Sequence, residues 1–208
     1  LIQGDLTISE AVGDGTVTLN KVTVAGDTFV RGGGANSIHL NGGQYSRIIM
    51  EKTASGAVRI VATGVDGLEV VIAEDAAGET IILDGAFDSI TINAPNMTIT
   101  TQGATTTIGT MTVGAAGGGT TLNLVDGTRV AALELNAKTA VKGQGTVTKA
   151  EVKADGVVFD RQPGSYTVAP GLVVAPVFPS PGGDGYNPPE PVAVTGDVEN
   201  RHGIGVRK

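Results

Sequence analysis

The sequence predicts an all-β protein, a single-stranded parallel β-helix of about seven coils with three short strands in each coil. Short alternating segments recur between turns rich in Gly, Asn, Pro and Thr, and pairs of aliphatic residues return at a nearly constant interval. The composition agrees, since Gly accounts for 32 of 208 residues and charged residues for only 17%. Coils of this kind bury an apolar stripe only because their neighbours stack above and below.

The repeat is clearest in the middle of the chain, where inward pairs flank one outward residue. These pairs are Ile90/Ile92, Met111/Val113 and Leu133/Leu135. Extending one inward position along the chain selects Val24, Ile48, Val70, Ile92, Val113 and Leu135, at intervals of 24, 22, 22, 21 and 22 residues. The next equivalent, Val152, follows after only 17 residues, so either the last coil is tighter or the alignment fails there.

Alternating segments place the strands of the early coils. Segments 5–8, 16–24 and 27–30 are expected to form the first coil, and 37–40, 45–50 and 57–62 the next. Segments 68–72 and 79–83 follow, joined by the acidic connection 73–78. The predicted β-helix module spans residues 1–161.

The end of the chain has a different composition. Residues 162–191 contain every proline except Pro95, which is typical of an extended linker. Residues 192–208 are predicted to be a poorly structured tail or the start of another module. Because the chain begins at Leu1 without an initiator Met, we interpret it as a piece of a longer polypeptide, tethered to other domains.

Charge and composition argue against several classes of partner. A net charge of −7 and the lack of a basic stripe argue against nucleic-acid binding. No apolar run approaches the roughly 20 residues that cross a bilayer, so no membrane insertion is expected. The sequence has no cysteine, which is compatible with either a cytosolic or a bacterial extracellular protein.

Candidate catalytic groups are sparse. The outward acids Glu69 and Glu134 are three coils apart, about 14 Å, which is too far for the paired carboxylates of a glycosidase. A polysaccharide lyase is a less favoured alternative, in which Arg47 and Arg59 would form a basic groove near His39 and Glu69. No concentrated Asp cluster accompanies these residues.

Four acids in turns are candidate ligands for a structural calcium ion. Asp66, Glu74, Asp75 and Glu79 are hard oxygen donors, and turns can add backbone carbonyls. The sequence lacks the EF-hand pattern and the Gly-rich nonapeptide calcium repeat. An Asp-Gly turn such as that at Asp66 also has a simpler cause, because Asp-Gly favours turns.

A sugar-binding surface would have to work with few aromatic rings, since the chain has no Trp, three Tyr and four Phe. Tyr45 is the best outward ring on the repeat. Otherwise, hydrogen bonds along an extended groove would come from polar side chains, and the candidate ligand-binding residues are His39, Tyr45, Arg47, Arg59 and Glu69.

Three segments carry a family resemblance: GDLTISEAVGDGTVTLNKVTVAGDTFVRGGGANSIHLNGG, NAPNMTITTQGATTTIGTMTVGA and LNAKTAVKGQGTVTKAEVKADGVVFDRQP. Over residues 4–168 the chain resembles the β-helical module found beside S-layer homology domains in surface proteins of Gram-positive Firmicutes. It is similar to carbohydrate-binding module family 54, which is attached to glucan-degrading enzymes. The resemblance implies a right-handed helix, and it is compatible with calcium in the acidic turns.

The resemblance also implies a location and a role. The protein would be secreted and displayed at the Gram-positive cell wall or S-layer, and it would adhere without catalysis to an insoluble cell-wall or plant polysaccharide. The expected function is therefore a polysaccharide-binding module of a modular cell-surface glycoside hydrolase, for β-glucan, xylan or chitin, acting by substrate proximity. The alternative is a structural spacer or assembly module of a surface-layer protein with no sugar ligand.

Overall fold

The computed structural model describes residues 1–179 of the chain. The fold is all-β, with 55% strand and 3% helix, and its parallel sheet winds into a β-solenoid of about seven turns, which confirms the predicted fold class. The strands are β1 (Leu6–Ile8), β2 (Thr18–Val30), β3 (His39–Met50), β4 (Ala57–Thr63), β5 (Glu69–Ile72), β6 (Thr80–Ile92), β7 (Thr98–Val113), β8 (Thr120–Asn123), β9 (Arg129–Leu135), β10 (Thr139–Lys142), β11 (Thr146–Val152), β12 (Val158–Phe159) and β13 (Ser165–Val168). Two single turns of 3₁₀ helix, Glu10–Val12 and Glu74–Ala76, interrupt them.

Successive coils stack through two long parallel ladders and a short one between them, with neighbouring strands about 4.8 Å apart. The first ladder contains the starts of β2, β3, β6 and β7 together with β4, β8, β10 and β12. The second contains β1, the ends of β2, β3, β6 and β7, and then β5, β9, β11 and β13. Long strands such as β6 and β7 belong to both ladders, and their register shifts after Asp84, where the chain turns from one to the other.

In β3, β6, β7, β9 and β11 the chain turns a corner between the two ladders, and two consecutive residues face outward there. In β9, Val130 and Leu133 are buried, whereas Ala131 and Ala132 between them face outward. Other coils repeat the pattern at Phe87–Ile90, Ile108–Met111 and Val147–Ala150. One additional outward residue reverses the in–out alternation, as a β-bulge does. The residues that precede the corner, such as Phe87, Ile108 and Val130, are paired with one another on successive coils. They form a short middle ladder, which is the third pairing segment of a coil.

The core is a continuous column of aliphatic side chains inside the coils. One stack in the second ladder contains Ile48, Val70, Ile90, Met111, Leu133 and Ala150, each at most 2% exposed. Each of these residues is paired with its equivalent on the neighbouring coil, so apolar burial and strand pairing reinforce one another.

The inward alignment is partly confirmed. The confirmed pairs are Ile48–Val70, Ile92–Val113, Val113–Leu135 and Leu135–Val152. Two predicted pairs are wrong, because Val70 lies beside Ile90 rather than Ile92, and Val24 lies beside Tyr45 rather than Ile48. The first error is a slip of two residues, which keeps every side chain on its face, so alternation alone does not distinguish the two registers. The second is a shift of three residues, at the point where the register between β2 and β3 changes after Val24.

The coils become shorter towards the end of the solenoid. Leu135 pairs with Val152 after 17 residues, and Val152 pairs with Val168 after 16. Of the two explanations for the short interval before Val152, the tighter coil is therefore the correct one.

The described part of the proline-rich segment extends the solenoid beyond residue 161. Strand β13 pairs with β11, and Val177 forms a bridge with Val158. The Phe178 ring packs against Phe159, with ring centroids 5.3 Å apart, and against Tyr166 at 4.6 Å. These rings cover the end of the column, so residues 162–179 do not form a separate linker. The remainder of the predicted linker, 180–191, and the predicted tail, 192–208, lie outside the described residues.

Within residues 1–179, no helix is both long enough and apolar enough to cross a membrane.

Candidate functional site

The five predicted ligand residues do not form one group. His39 and Arg59 lie on the first ladder, where the His39 Nε2 atom is 2.9 Å from the carbonyl oxygen of Asn36 and Arg59 forms an ion pair with Asp84 on the next coil. Arg47 and Glu69 lie on the second ladder, at the residue that precedes the inward stack. The predicted basic groove joining Arg47 to Arg59 is therefore divided between two ladders.

Tyr45 is not an outward platform for a sugar. Its side chain is buried, with 6% relative exposure, and it stacks against Val24 in the core. Burial raises the pKa of the Tyr45 phenol, and among the described residues its hydroxyl has no hydrogen-bond partner. The prediction failed because Ser46 and Arg47 both face outward at the corner, which places Tyr45 and Ile48 on the same inner side.

The ion pair of Arg47 connects two coils on the outer surface. Its Nε and Nη2 atoms donate to the two carboxylate oxygens of Asp27, at 3.1 and 2.8 Å. This bidentate hydrogen bond is the main reason that the pKa of Arg47 is raised, with the charge of Glu69 on the following coil contributing less. Arg47 is thus held by the protein's own acids.

The predicted calcium ligands are not assembled into a site. Among residues 1–179, no three acidic or histidine side chains approach closely enough to hold a metal ion. Asp66, Glu74 and Asp75 are exposed, whereas Glu79 is only 1% exposed. The Glu79 carboxylate accepts hydrogen bonds from the backbone N–H and hydroxyl of Thr53, at 2.6 and 3.1 Å. Calcium binding remains a prediction from the sequence.

The outer face of the second ladder carries polar side chains on successive coils from β6 to β11. We call this surface the ladder face. Its corner row contains Glu69, Ser89, Thr110, Ala132 and Lys149 on successive coils. Its central row contains Ile49, Val71, Thr91, Thr112, Glu134 and Glu151. The central row changes from aliphatic to hydroxyl to carboxylate side chains along the solenoid axis.

The carboxylates of the central row share one lysine. Lys153 Nζ lies 2.5 Å from Glu134 Oε1 and 3.3 Å from Glu151 Oε1, and the Thr112 hydroxyl donates to Glu134 Oε2 at 3.4 Å. The hydrogen bond from Lys153 is the main reason that the pKa of Glu134 is lowered. Glu134 was predicted from the sequence as an outward acid together with Glu69, whereas Glu151 was not among the candidates. Pairing Leu135 with Val152 would have placed Glu151 beside Glu134.

Lys153→Met is expected to raise the pKa of Glu134 towards the ordinary range of a glutamate, because it removes the donor that stabilises the carboxylate. A ¹³C NMR titration of the glutamate carboxyls measures this directly. In the native protein the lowered pKa contributes stability above the ordinary carboxylate pKa, and that contribution is lost as the pH falls through the lowered value. Any difference in Tm between the two proteins should therefore shrink in acid.

Lys142→Met is the matched control, since Lys142 is exposed on the first ladder. It should leave the Glu134 titration unchanged. If Lys153→Met also left it unchanged, the hydrogen bond between Lys153 and Glu134 would not be formed in solution.

Comparison of the chain with protein-family models, with curated proteins and with solved structures finds no match to any of them.

Proposed function

We propose that this chain is a non-catalytic polysaccharide-binding module, and that the ladder face is where the polymer lies. The observation that supports it is the repetition of polar side chains along the axis at the coil spacing of about 4.8 Å. An extended glycan repeats along its length with each sugar residue. Successive sugar residues could therefore contact successive coils. Hydroxyls at Thr91, Thr110 and Thr112 and the Lys149 ammonium supply donors and acceptors for sugar hydroxyls.

The electrostatics of the face favour binding over hydrolysis. A glycosidase needs one carboxyl group whose pKa is raised, so that it can donate a proton to the leaving oxygen. The pKa of Glu134 is instead lowered, because Lys153 and Thr112 stabilise its carboxylate. Glu151 lies beside the same ammonium group. Both acids are thus suited to accept hydrogen bonds.

In this proposal the module acts by proximity within a larger secreted protein at the bacterial cell surface. Attachment to an insoluble polymer raises the local concentration of any tethered catalytic domain, such as a glycoside hydrolase, without changing its chemistry. The chain would need no cofactor for this role.

Pull-down of the protein with insoluble β-1,3-glucan, xylan and chitin tests the proposal, and depletion from the supernatant by at least one polymer is the expected result. Thr110→Val with Thr112→Val should weaken binding about tenfold, since two hydroxyl hydrogen bonds are lost while the branched shape is kept. Thr98→Val with Thr100→Val is the matched control, because these residues lie outward on the first ladder of the same strand. Failure to bind any polymer would overturn the proposal.

A structural spacer of a surface layer is the second candidate, and the ion pairs between coils favour it. Asp27 with Arg47 and Arg31 with Glu51 join neighbouring coils on the outer surface, and Arg59 with Asp84 does so on the first ladder. Such pairs connect neighbouring coils of the solenoid, and they leave fewer charged side chains available to a ligand. Sedimentation of the protein would show self-association if the spacer role is correct, together with no binding to the three polymers.

A further inference from the structure

The ladder face contains a cavity of about 130 Å³. Its lining residues are Thr110, Ala132, Leu133, Glu134, Lys149 and Glu151. The cavity has a simple cause, because Ala132 lies in the corner row between the longer side chains of Thr110 and Lys149. We call this cavity the Ala132 notch. Only one small group can enter it, since sites for whole drug-sized ligands are roughly 300–1,000 Å³.

The notch combines an apolar floor with an ammonium group and two carboxylates. Ala132 and Leu133 supply the apolar lining, and Leu133 is only 2% exposed. Lys149 is exposed at the rim, while the neighbouring Lys153, not Lys149, forms the ion pairs with Glu134 and Glu151. A ligand would therefore meet an ammonium donor, carboxylate acceptors and an apolar patch within one small volume.

We infer that the Ala132 notch is a subsite for the acetamido group of an N-acetylated amino-sugar polymer. This inference rests on the proposed function and names the sugar class. The acetamido methyl would pack over Ala132, its carbonyl oxygen would accept a hydrogen bond from the Lys149 ammonium, and its N–H would donate to the carboxylate of Glu134 or Glu151. Each part of the group then has a partner of the right polarity.

Other small groups fit the notch less well. A hydroxyl group would leave the apolar floor unfilled, and a sulfate or phosphate would be repelled by the two carboxylates. A free cation would be repelled by Lys149 and would compete with Lys153. A bare sugar ring would pack best on an aromatic plate. The Phe29 ring does not provide such a plate at the notch. It is half-buried on β2, several coils away, and the Arg31 guanidinium lies over it, with Cζ 5.9 Å from the ring centroid.

The test measures binding of three soluble hexasaccharides to the full chain by calorimetry: N-acetylglucosamine, glucosamine and glucose oligomers with the same β-1,4 linkage. The acetylated oligomer is expected to bind about tenfold more tightly than the glucose oligomer, because it adds one buried methyl and one or two hydrogen bonds. Ala132→Leu fills the notch and should abolish this preference. Ala140→Leu places the same side chain outward on the first ladder and should keep it.

A second variant tests the same inference if Ala132→Leu disturbs folding. Lys149→Met should reduce the preference several-fold, whereas Lys142→Met, an exposed lysine on the first ladder, should not. Equal affinity for the acetylated and glucose oligomers would overturn the inference and leave the proposed function standing. Tightest binding of the glucosamine oligomer would also overturn it, because attraction of ammonium groups to Glu134 and Glu151 would then explain the affinity. Failure of all oligomers and of the insoluble polymers to bind would overturn both.

Discussion

Replacing Ile81 with Ala is expected to lower the free energy of unfolding by about 2–5 kcal/mol, the range for deletion of a large buried aliphatic side chain. Ile81 is fully buried and lies between Val58 and Ile99 on the neighbouring coils. The cavity would therefore remove contacts from three coils at once. Urea unfolding followed by circular dichroism measures the change.

Ile82 provides a control of the same residue type at the next position of the same strand. Its side chain faces outward, between Arg59 and Thr100, and it is half-buried. Ile82→Ala should cost about 1 kcal/mol or less. Equal losses for the two variants would contradict the alternation of inward and outward residues on which the solenoid depends. If Ile81→Ala does not fold, Ile81→Val should still cost about 0.5–1.5 kcal/mol.

The stacked core could be predicted from the sequence because its cause is periodic. Ile92, Val113 and Leu135 recur at a nearly constant interval, and a side chain can stay inside every coil only if it returns to the same place on each turn. The short interval to Val152 could also be recognised, but the sequence did not distinguish a tighter coil from a failed alignment. Only strand pairing decided that question.

The site was harder to predict, because it depends on which way a few corner residues point. If inward and outward residues alternated strictly from Tyr45 to Ile48, only one of these two residues could be buried. Both are buried, because the two residues between them face outward. The same corner places Ala132 and Lys149 on the ladder face and so creates the notch. The number of residues at a corner depends on how the coil closes, and a short alternating pattern does not record it.

The buried carboxylate of Glu79 gives the other large expected effect. Glu79→Ala should lower the free energy of unfolding by about 2–4 kcal/mol. A buried polar group left without a partner costs roughly 1–3 kcal/mol, and the cavity left by the missing side chain adds to that cost. The group left without a partner is the backbone N–H of Thr53, which donates to Glu79 Oε1 at 2.6 Å across neighbouring coils. Chemical denaturation at neutral pH measures the loss.

Two further variants separate this hydrogen bond from the nearby ion pair. Glu79→Gln keeps an amide oxygen that can accept from the Thr53 N–H, so it should cost less than half as much as Glu79→Ala. Lys52→Met should cost little, because the Lys52 side chain is 58% exposed and its Nζ atom lies 3.5 Å from Glu79 Oε1. A loss for Lys52→Met as large as that for Glu79→Ala would mean that charge pairing, and not the hydrogen bond to Thr53, joins these two coils.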